Sequence, residues 1–213
     1  MQPATKAPEK PHATTTGNRP APRTLVILRG NSGSGKTSVA RAVRDAYGRG
    51  AALLEQDYLR RVILREHDGS ASTGIAPEFI TNAAAFALAN GYHVILEGIL
   101  HTARYADAVL KLIKDHDGPS FVYYLDVSLA ETLRRHATRP QATEFDPDQM
   151  REWYIDHDVL GTPGEHIIGE SSTFTQTVGH VLHSSRLTET PAVTYCPTAC
   201  ARCLTETMAT APA

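Results

Sequence analysis

Cysteine is missing from almost the whole chain: of 213 residues only three are cysteine, and Cys196, Cys200 and Cys203 crowd into its last stretch. No disulfide framework can staple the body of such a protein, so a packed core has to hold it. Long apolar runs are also lacking. Nothing approaches the roughly 18 residues of a membrane span, and "MQPATKAPEKPHATTTGNRPAPR" at the N-terminus lacks the apolar centre of a secretory leader. The expected location is the cytoplasm, with no membrane partner. An excess of one charge is absent too: 21 basic against 23 acidic residues leave a net charge of -2. There is no global field to draw in a nucleic-acid backbone and no basic, aromatic-interleaved stripe for a single strand, so nucleic acid is not an expected partner.

What is present is an ordinary globular composition, 41% hydrophobic and 21% charged. Residues 1–22, rich in Pro, Ala and Thr without periodicity, read as a disordered arm, and 188–213 as a flexible tail of similar composition. The foldable unit is 23–187. Within it, strand and helix patterns alternate. "TLVILR" (24–29), "AALLE" (51–55), "YHVIL" (92–96), "SFVYYL" (120–125) and "EHIIG" (165–169) read as strands. Helices are expected over 36–48, 103–116, 129–136 and 174–184. Another is expected over 77–90, with Phe79, Ile80, Ala83, Phe86 and Ala87 on one stripe, and a helical turn with Leu59, Val62 and Ile63 together. "SLAE" (128–131) reads as a capping box, and "DPDQ" (146–149) as a helix start with Asp146 as cap. Strands separated by crossover helices imply a parallel sheet covered on both faces.

One motif carries chemistry at once. In "LRGNSGSGKTSV", Gly30 is followed after four residues by Gly35-Lys36-Thr37, the P-loop spacing, between an expected strand and an expected helix. Glycines let successive N–H groups turn inward, and the helix start adds its positive dipole end, so Gly30, Asn31, Ser32, Gly33, Ser34, Gly35, Lys36, Thr37 and Ser38 form an expected nucleotide-phosphate cradle. Lys36 would reach the β- and γ-phosphates, and the Thr37 hydroxyl would ligate Mg²⁺. ATP and Mg²⁺ are thus the expected cofactors.

In doubly wound sheets ligands sit beyond the carboxyl ends of the strands, which singles out three more places. Asp57, after the second strand, could accept or orient the proton of an attacking hydroxyl, with Arg60 one turn on holding the acceptor; a helix cap followed by a solvated arginine fits equally. Glu97 could hold a water on Mg²⁺ or contact the acceptor. Arg135 and Arg139, on and after helix 129–136, could clamp a γ-phosphate as a hinged lid, whereas Arg134 reads as a dipole-stabilising helix end. Asp126 is as well explained by a turn as by metal binding. The "DHD" runs at 115–117 and 156–158 read as solvated helix ends, and the C-x3-C-x2-C cysteines as tail residues without a metal.

Several motifs in order over roughly 24–185 resemble the P-loop kinases related to polynucleotide kinase, zeta toxin and chloramphenicol phosphotransferase. "GNSGSGKTS" resembles their phosphate loop, "QDYLRR" their D-x-x-R segment, "ILEGILHTARY" the E-G-T segment of zeta toxins, and "YYLDVSLAETLRRHATR" with "DPDQMREWY" the arginine lid of polynucleotide kinases. The resemblance implies an α/β fold, a three-layer, nucleoside-kinase-like P-loop NTPase with a parallel sheet of about five strands and a helical arginine lid. It implies Lys36, Asp57, Arg135 and Arg139 as catalytic residues, with Asp57 as base, and Asp57, Arg60, Glu97 and Arg104 around the acceptor. It also places adenine near 169–172. After Glu97 the chain reads Gly98-Ile99, without the Thr or Asn that relatives use on their acceptor. The expected activity is ATP- and Mg²⁺-dependent phosphorylation of a hydroxyl on a small molecule such as an antibiotic, nucleoside or sugar nucleotide. The alternatives are a nucleotide-controlled ATPase or GTPase binding module, a zeta-toxin-like kinase, or a polynucleotide 5′-hydroxyl kinase.

Overall fold

The structure, a computed structural model, describes residues 22–66, 74–138, 145–190 and 192. The chain beyond them at each end, the three cysteines and Arg139 lie outside the described residues. Five strands, β1 (Leu25–Gly30), β2 (Ala51–Glu55), β3 (His93–Gly98), β4 (Ser120–Asp126) and β5 (His166–Gly169), form one sheet in the order β2-β3-β1-β4-β5. Every pairing is parallel. The helices are α1 (Lys36–Tyr47), α2 (Ala76–Ala89), α3 (Thr102–Asp115), α4 (Leu129–His136), α5 (Pro147–Trp153) and α6 (Phe174–Ser184), with a π-helical segment over Tyr58–Ile63. No helix among the described residues is long and apolar enough to cross a membrane.

Leu25, Val26, Ile27 and Leu28 are all fully buried, because β1 is the central strand and helices cover both of its faces. Alternate residues serve opposite cores. Leu25 and Ile27 join Val94, Leu96 and Val122 against Ile80 and Ala84 of α2 and Val109 of α3. Val26 and Leu28 join Ile95 and Leu125 against Val39 and Val43 of α1 and Val181 of α6. At ~1.5–3 kcal/mol for each fully buried large aliphatic side chain, these two layers are the main source of stability. Since β3 and β4 flank β1 on either side, the chain reverses its winding there. That leaves a crevice at the carboxyl ends of β1, β3 and β4.

Several local expectations need correction. β3 runs through Gly98 and excludes Tyr92, so Glu97 lies within a buried strand and not after it. Helix α2 buries Ile80, Ala84 and Leu88, an i, i+4, i+8 stripe, and leaves Phe86 72% exposed. In the π-helical segment Leu64 N–H donates to Leu59 O at 3.0 Å, an i+5 spacing. Leu59 and Leu64 therefore share the core side, while Val62 and Ile63 face out. Ser128 does cap α4 through Glu131 N–H (3.3 Å), but the Glu131 carboxylate turns forward to Arg134 and Arg135. The Ser128 N–H is taken instead by Glu170, at 3.0 Å. Asp146 is the expected cap of α5, and Gln149 completes a capping box with it. Leu187, the last residue of the expected unit, is fully buried and packs in the α1–α6 core.

His93 gives the fold a pH dependence. The imidazole is fully buried, Nδ1 accepts the Thr24 N–H at 2.9 Å, and burial together with nearby Arg23 lowers its pKa from 6.5 to about 4. The unfolded chain therefore binds the proton first, and stability falls as pH drops from about 6.5 to about 4. At about 1.4 kcal/mol per pKa unit the loss is on the order of 3 kcal/mol. Urea unfolding at pH 7, 5.5 and 4.5 checks this: His93→Asn should show a shallower decline than the wild type, and equal slopes would contradict the assignment.

Candidate active site

The phosphate loop starts where β1 ends and closes where α1 begins. Gly30, Gly33 and Gly35 have φ of +149°, +86° and +102°. Their lack of a side chain is also steric: a Cβ at Gly30 would lie 2.8 Å from Ser34 Oγ, and one at Gly33 2.8 Å from the Thr132 carbonyl of α4. The lid helix thus rests directly on the loop. Asn31 anchors the other side, its amide donating to Ile155 O (2.8 Å) and accepting from Ile155 N–H (3.2 Å). Ser34 Oγ is buried with no hydrogen-bond partner among the described residues, and the buried Lys36 ammonium folds back to Asn31 O at 3.4 Å. A buried hydroxyl in want of a partner, a backbone cradle that a side chain would fill, and a lysine at its centre fit a polyphosphate. Ser32 is half-buried, and Ser38 is exposed on the rim.

Thr37 Oγ1 donates to Glu97 Oε2 at 3.0 Å. Glu97 is 3% exposed, and burial pushes its carboxyl up against the opposing pull of Lys36 and the Thr37 hydroxyl; Asp57 and Glu55 push it further up. A buried carboxylate facing two neighbouring acids and a P-loop hydroxyl is a set of hard oxygen donors suited to Mg²⁺. The structure therefore puts Glu97 beside Thr37, the two residues expected from the sequence on the Mg²⁺ side of the loop. Glu55 is held from outside by Arg41 through two contacts of 2.6 and 2.8 Å.

Arg135 reaches over the loop, donating to Ser34 O (2.9 Å), to Glu131 (2.6 Å) and to Glu170 O (3.4 Å). Arg134 points to solvent against Glu131, as its position at the helix end suggested. Next to Arg135 a cleft of about 440 Å³ opens between Ser34–Val39 and the turn after β5, including Gly169, Glu170 and Ser172. This is the place the family resemblance gives to the nucleotide base.

On the acceptor side, the charge of Asp57 acts on Glu97, and those of Arg60 and Arg104 both act on Tyr105. Asp57 is exposed and 3.7 Å from Arg61, with no capping bond. Arg60, within the π-helical segment, is buried, and Arg104 pairs with Glu66 at 3.0 Å. Arg61 lies 6.0 Å over the Trp153 ring of α5, linking this wall to the lid. Gln56 packs where a Cβ on Gly98 would come within 2.5 Å, and its side chain bonds the Tyr105 hydroxyl (3.1 Å) and the Leu100 N–H (3.4 Å).

A buried network behind the loop escaped the sequence reading. Arg29, fully buried one residue before Gly30, donates to Leu100 O (2.9 Å), Asp158 (3.2 Å) and Glu165 (3.4 Å). The Leu100 carbonyl is turned to Arg29 by a positive φ of 47°, a strained state for leucine. Asp158 also caps α3 through the Thr102 N–H (3.1 Å) and the Thr102 hydroxyl. The "DHD" run at 156–158 is therefore no solvated helix end: Asp158 is 8% exposed, while His157 pairs with Asp126 at 2.9 Å. The available signal was Arg29 itself, since a charge inside an apolar strand needs buried partners. Among the described residues no three His, Cys, Asp or Glu side chains gather into a metal site of their own.

A family model described as an AAA domain matches residues 25–154, from β1 to just past α5. The chain belongs to that family. Among solved structures, the AAA domain protein resembles APS kinase of Mycobacterium tuberculosis in complex with AMPPNP and APS, at 20% identity and a TM-score of 0.59, over 80% of this chain and 100% of that one. A gluconokinase from Sinorhizobium meliloti 1021 aligns at 21% identity and a TM-score of 0.51, over 80% and 96%. The tunicamycin resistance protein of Deinococcus radiodurans aligns at 16% and 0.54, over 77% and 95%. The fold is thus the α/β P-loop fold of small kinases. No curated protein matches the chain in sequence.

Proposed function

We propose that this AAA domain protein is an ATP- and Mg²⁺-dependent phosphotransferase that phosphorylates a hydroxyl group of a small molecule. The observation that carries the reading is Arg135, held by Glu131 and laid across the Ser34 carbonyl of the phosphate loop. A plain nucleotide-binding turn has no need of a lid cation at that point, whereas transfer of a γ-phosphoryl group does. Lys36 and the loop amides hold the β- and γ-phosphates, and Thr37 and Glu97 hold Mg²⁺. The metal would neutralise charge on the phosphate oxygens. The base fills the cleft between α4 and the turn after β5, and Asp57 orients the acceptor hydroxyl while Arg60 and Arg104 shape the wall behind it. Structural kinship with kinases of APS and gluconate and with a tunicamycin resistance protein supports a small acceptor. Incubation with γ-labelled ATP, Mg²⁺ and a panel of aminoglycosides, nucleosides, sugars and UDP-linked amino sugars tests this. Label should enter one acceptor class and vanish from it in Asp57→Asn. Transfer to no member, with Asp57→Asn unchanged in every activity, would sink the reading.

A further inference from the structure

Tryptophan occurs once in the chain, and Trp153 is the last residue of α5. On both sides of it the chain is pinned to the phosphate loop. Before it, buried Met150 rests on the loop, its Cε 3.2 Å from where a Cβ on Gly33 would lie. After it, Ile155 shares two hydrogen bonds with the Asn31 amide, of 2.8 and 3.2 Å. From between these anchors the indole meets the segment after β2, where the Arg61 guanidinium lies over it, 6.0 Å from the ring centre. Arg61 in turn stands 3.7 Å from the Asp57 carboxylate, one helical turn back. Sheet register sets that segment beside the phosphate loop: Glu55 of β2 is the partner of Glu97 in β3, and Glu97 accepts the Thr37 hydroxyl at 3.0 Å. The indole therefore bridges the lid side of the loop and the wall that carries Asp57.

Other rings back the indole. Phe145 lies 5.5 Å from it at an angle of 55°, and Phe145 is itself stacked at 4.5 Å on buried His136, whose Nε2 pairs with the Phe145 carbonyl at 3.0 Å. This row of rings holds the indole as a rigid plate. Trp153 is nevertheless only half-buried, whereas Met150 of the same helix is 2% exposed. Lid packing alone gives no reason to leave an indole half open between a phosphate loop and a carboxylate. The facing segment is apolar as well: Tyr58, next to Asp57, is 53% exposed and Val62 56%. At 6.0 Å the Arg61 contact is at the outer limit of a cation–π pair, so the guanidinium yields that face to a ligand at little cost.

We propose that Trp153 recognises the acceptor, and that the acceptor is an alcohol bearing a flat aromatic or heteroaromatic ring, which stacks on the indole with Arg61 against it. The proposal rests on the phosphotransferase reading and names the acceptor class within it. An open polyol or an aminoglycoside has no π face to offer an indole and a guanidinium at once, whereas an aryl or nucleobase ring does. With the ring on Trp153, its pendant hydroxyl meets Asp57. The hydroxyl oxygen bonds to the γ-phosphorus as the bond from that phosphorus to the ADP oxygen breaks, and the proton passes to Asp57 and then to water. Trp153 takes no part in that step; it decides which hydroxyl arrives.

Two measurements test the proposal. Because the chain has one tryptophan, indole fluorescence reports Trp153 alone. With Mg·ADP saturating, so that the base cleft is filled, the full chain is titrated with uridine, adenosine and benzyl alcohol, and separately with gluconate and kanamycin. At least one ring alcohol should give a saturable change, and the ring-free compounds none; the nucleoside and benzyl arms tell a nucleobase from a simple aryl ring. No saturable change with any ring alcohol, or a saturable change with gluconate or kanamycin in its place, overturns the proposal. The second measurement is calorimetry of the ring alcohol that binds, against Trp153→Phe and Trp153→Leu. The flat phenyl ring should keep the affinity within about threefold, and leucine should weaken it ~10-fold or more, with Mg·ADP affinity within about threefold in both. Wild-type affinity in Trp153→Leu, or equal losses in the two variants, would make the indole a packing residue of the lid and overturn the proposal. A ring alcohol that stacks on Trp153 yet takes no label from γ-labelled ATP would support the ring site and count instead against the phosphotransferase reading beneath it.

Discussion

Replacing Arg135 with alanine should slow phosphoryl transfer by ~10³-fold or more while changing the affinity for Mg·ATP far less. Among the described residues its guanidinium is bonded to the loop, through the Ser34 carbonyl at 2.9 Å, and Glu131 on the preceding turn of α4 aims it there. With nucleotide bound, charge spreads over the γ-phosphate oxygens only as the bond to ADP lengthens. A cation fixed above the loop therefore favours the transition state over the ground state, and its loss appears in kcat and not in binding. Glu131 serves as the aiming device: its two arginine bonds hold the carboxyl at about 2. Arg151→Ala, on the exposed side of α5 against Asp148, should leave turnover within about twofold. Equal losses in the two variants would show a general effect of lid charge and contradict the specific role of Arg135. Measuring kcat and the Mg·ATP dissociation constant for both variants decides this.

The second large effect is expected at Glu97, with stability and activity moving in opposite directions. The carboxylate is almost wholly buried in β3, accepts from the Thr37 hydroxyl, and faces Asp57 and Glu55, so it is held at a cost to the fold. Glu97→Gln keeps the shape and an oxygen for Thr37 while removing that charge. Thermal unfolding of the apo variant should be unchanged or higher, by up to about 1 kcal/mol, as is common where an active site stores strain. Mg²⁺-dependent turnover should drop by ~10²- to 10³-fold, since a carbonyl is a far weaker partner for the metal. A variant that loses both stability and activity would mean that Glu97 is a structural residue. One that keeps its activity would move the metal site elsewhere.

Much of this could be seen in the amino-acid order, and what could not was long-range. The strands were legible because β1, β3 and β4 are buried on both faces and read as continuous apolar runs. The phosphate loop was legible because its backbone geometry demands glycine at fixed places. Helix α5 announced itself through a local cue, Asp146 as cap of the "DPDQ" start. The stripe of α2 was legible only in part: Ile80 is buried and Phe79 and Ala87 pack against the core, but Phe86 is exposed while Ala84 and Leu88 are buried, and only the neighbouring sheet decides between them. The π-helical turn after Asp57 was not legible, because an i+5 spacing uses the same residues as an i+4 one. Asp158 looked like a solvated acid because its partners, Arg29, His101 and Thr102, are more than 50 residues away in sequence. For the same reason the acceptor wall was the least legible part: Asp57, Arg60 and Arg104 were each visible, but their pairing with Arg61 and Glu66 and their burial depend on how the segment after β2 folds back.

The most direct test of the account is the fate of the γ-phosphoryl group. Protein, Mg²⁺ and γ-³²P-ATP, incubated with a cellular small-molecule extract and resolved by chromatography, should yield label in an organic phosphate ester. That product should be absent with Lys36→Ala and strongly reduced with Arg135→Ala. Label recovered only as inorganic phosphate, or remaining in ATP whatever the extract, would contradict phosphoryl transfer to a hydroxyl and leave the cleft as a nucleotide-controlled binding site.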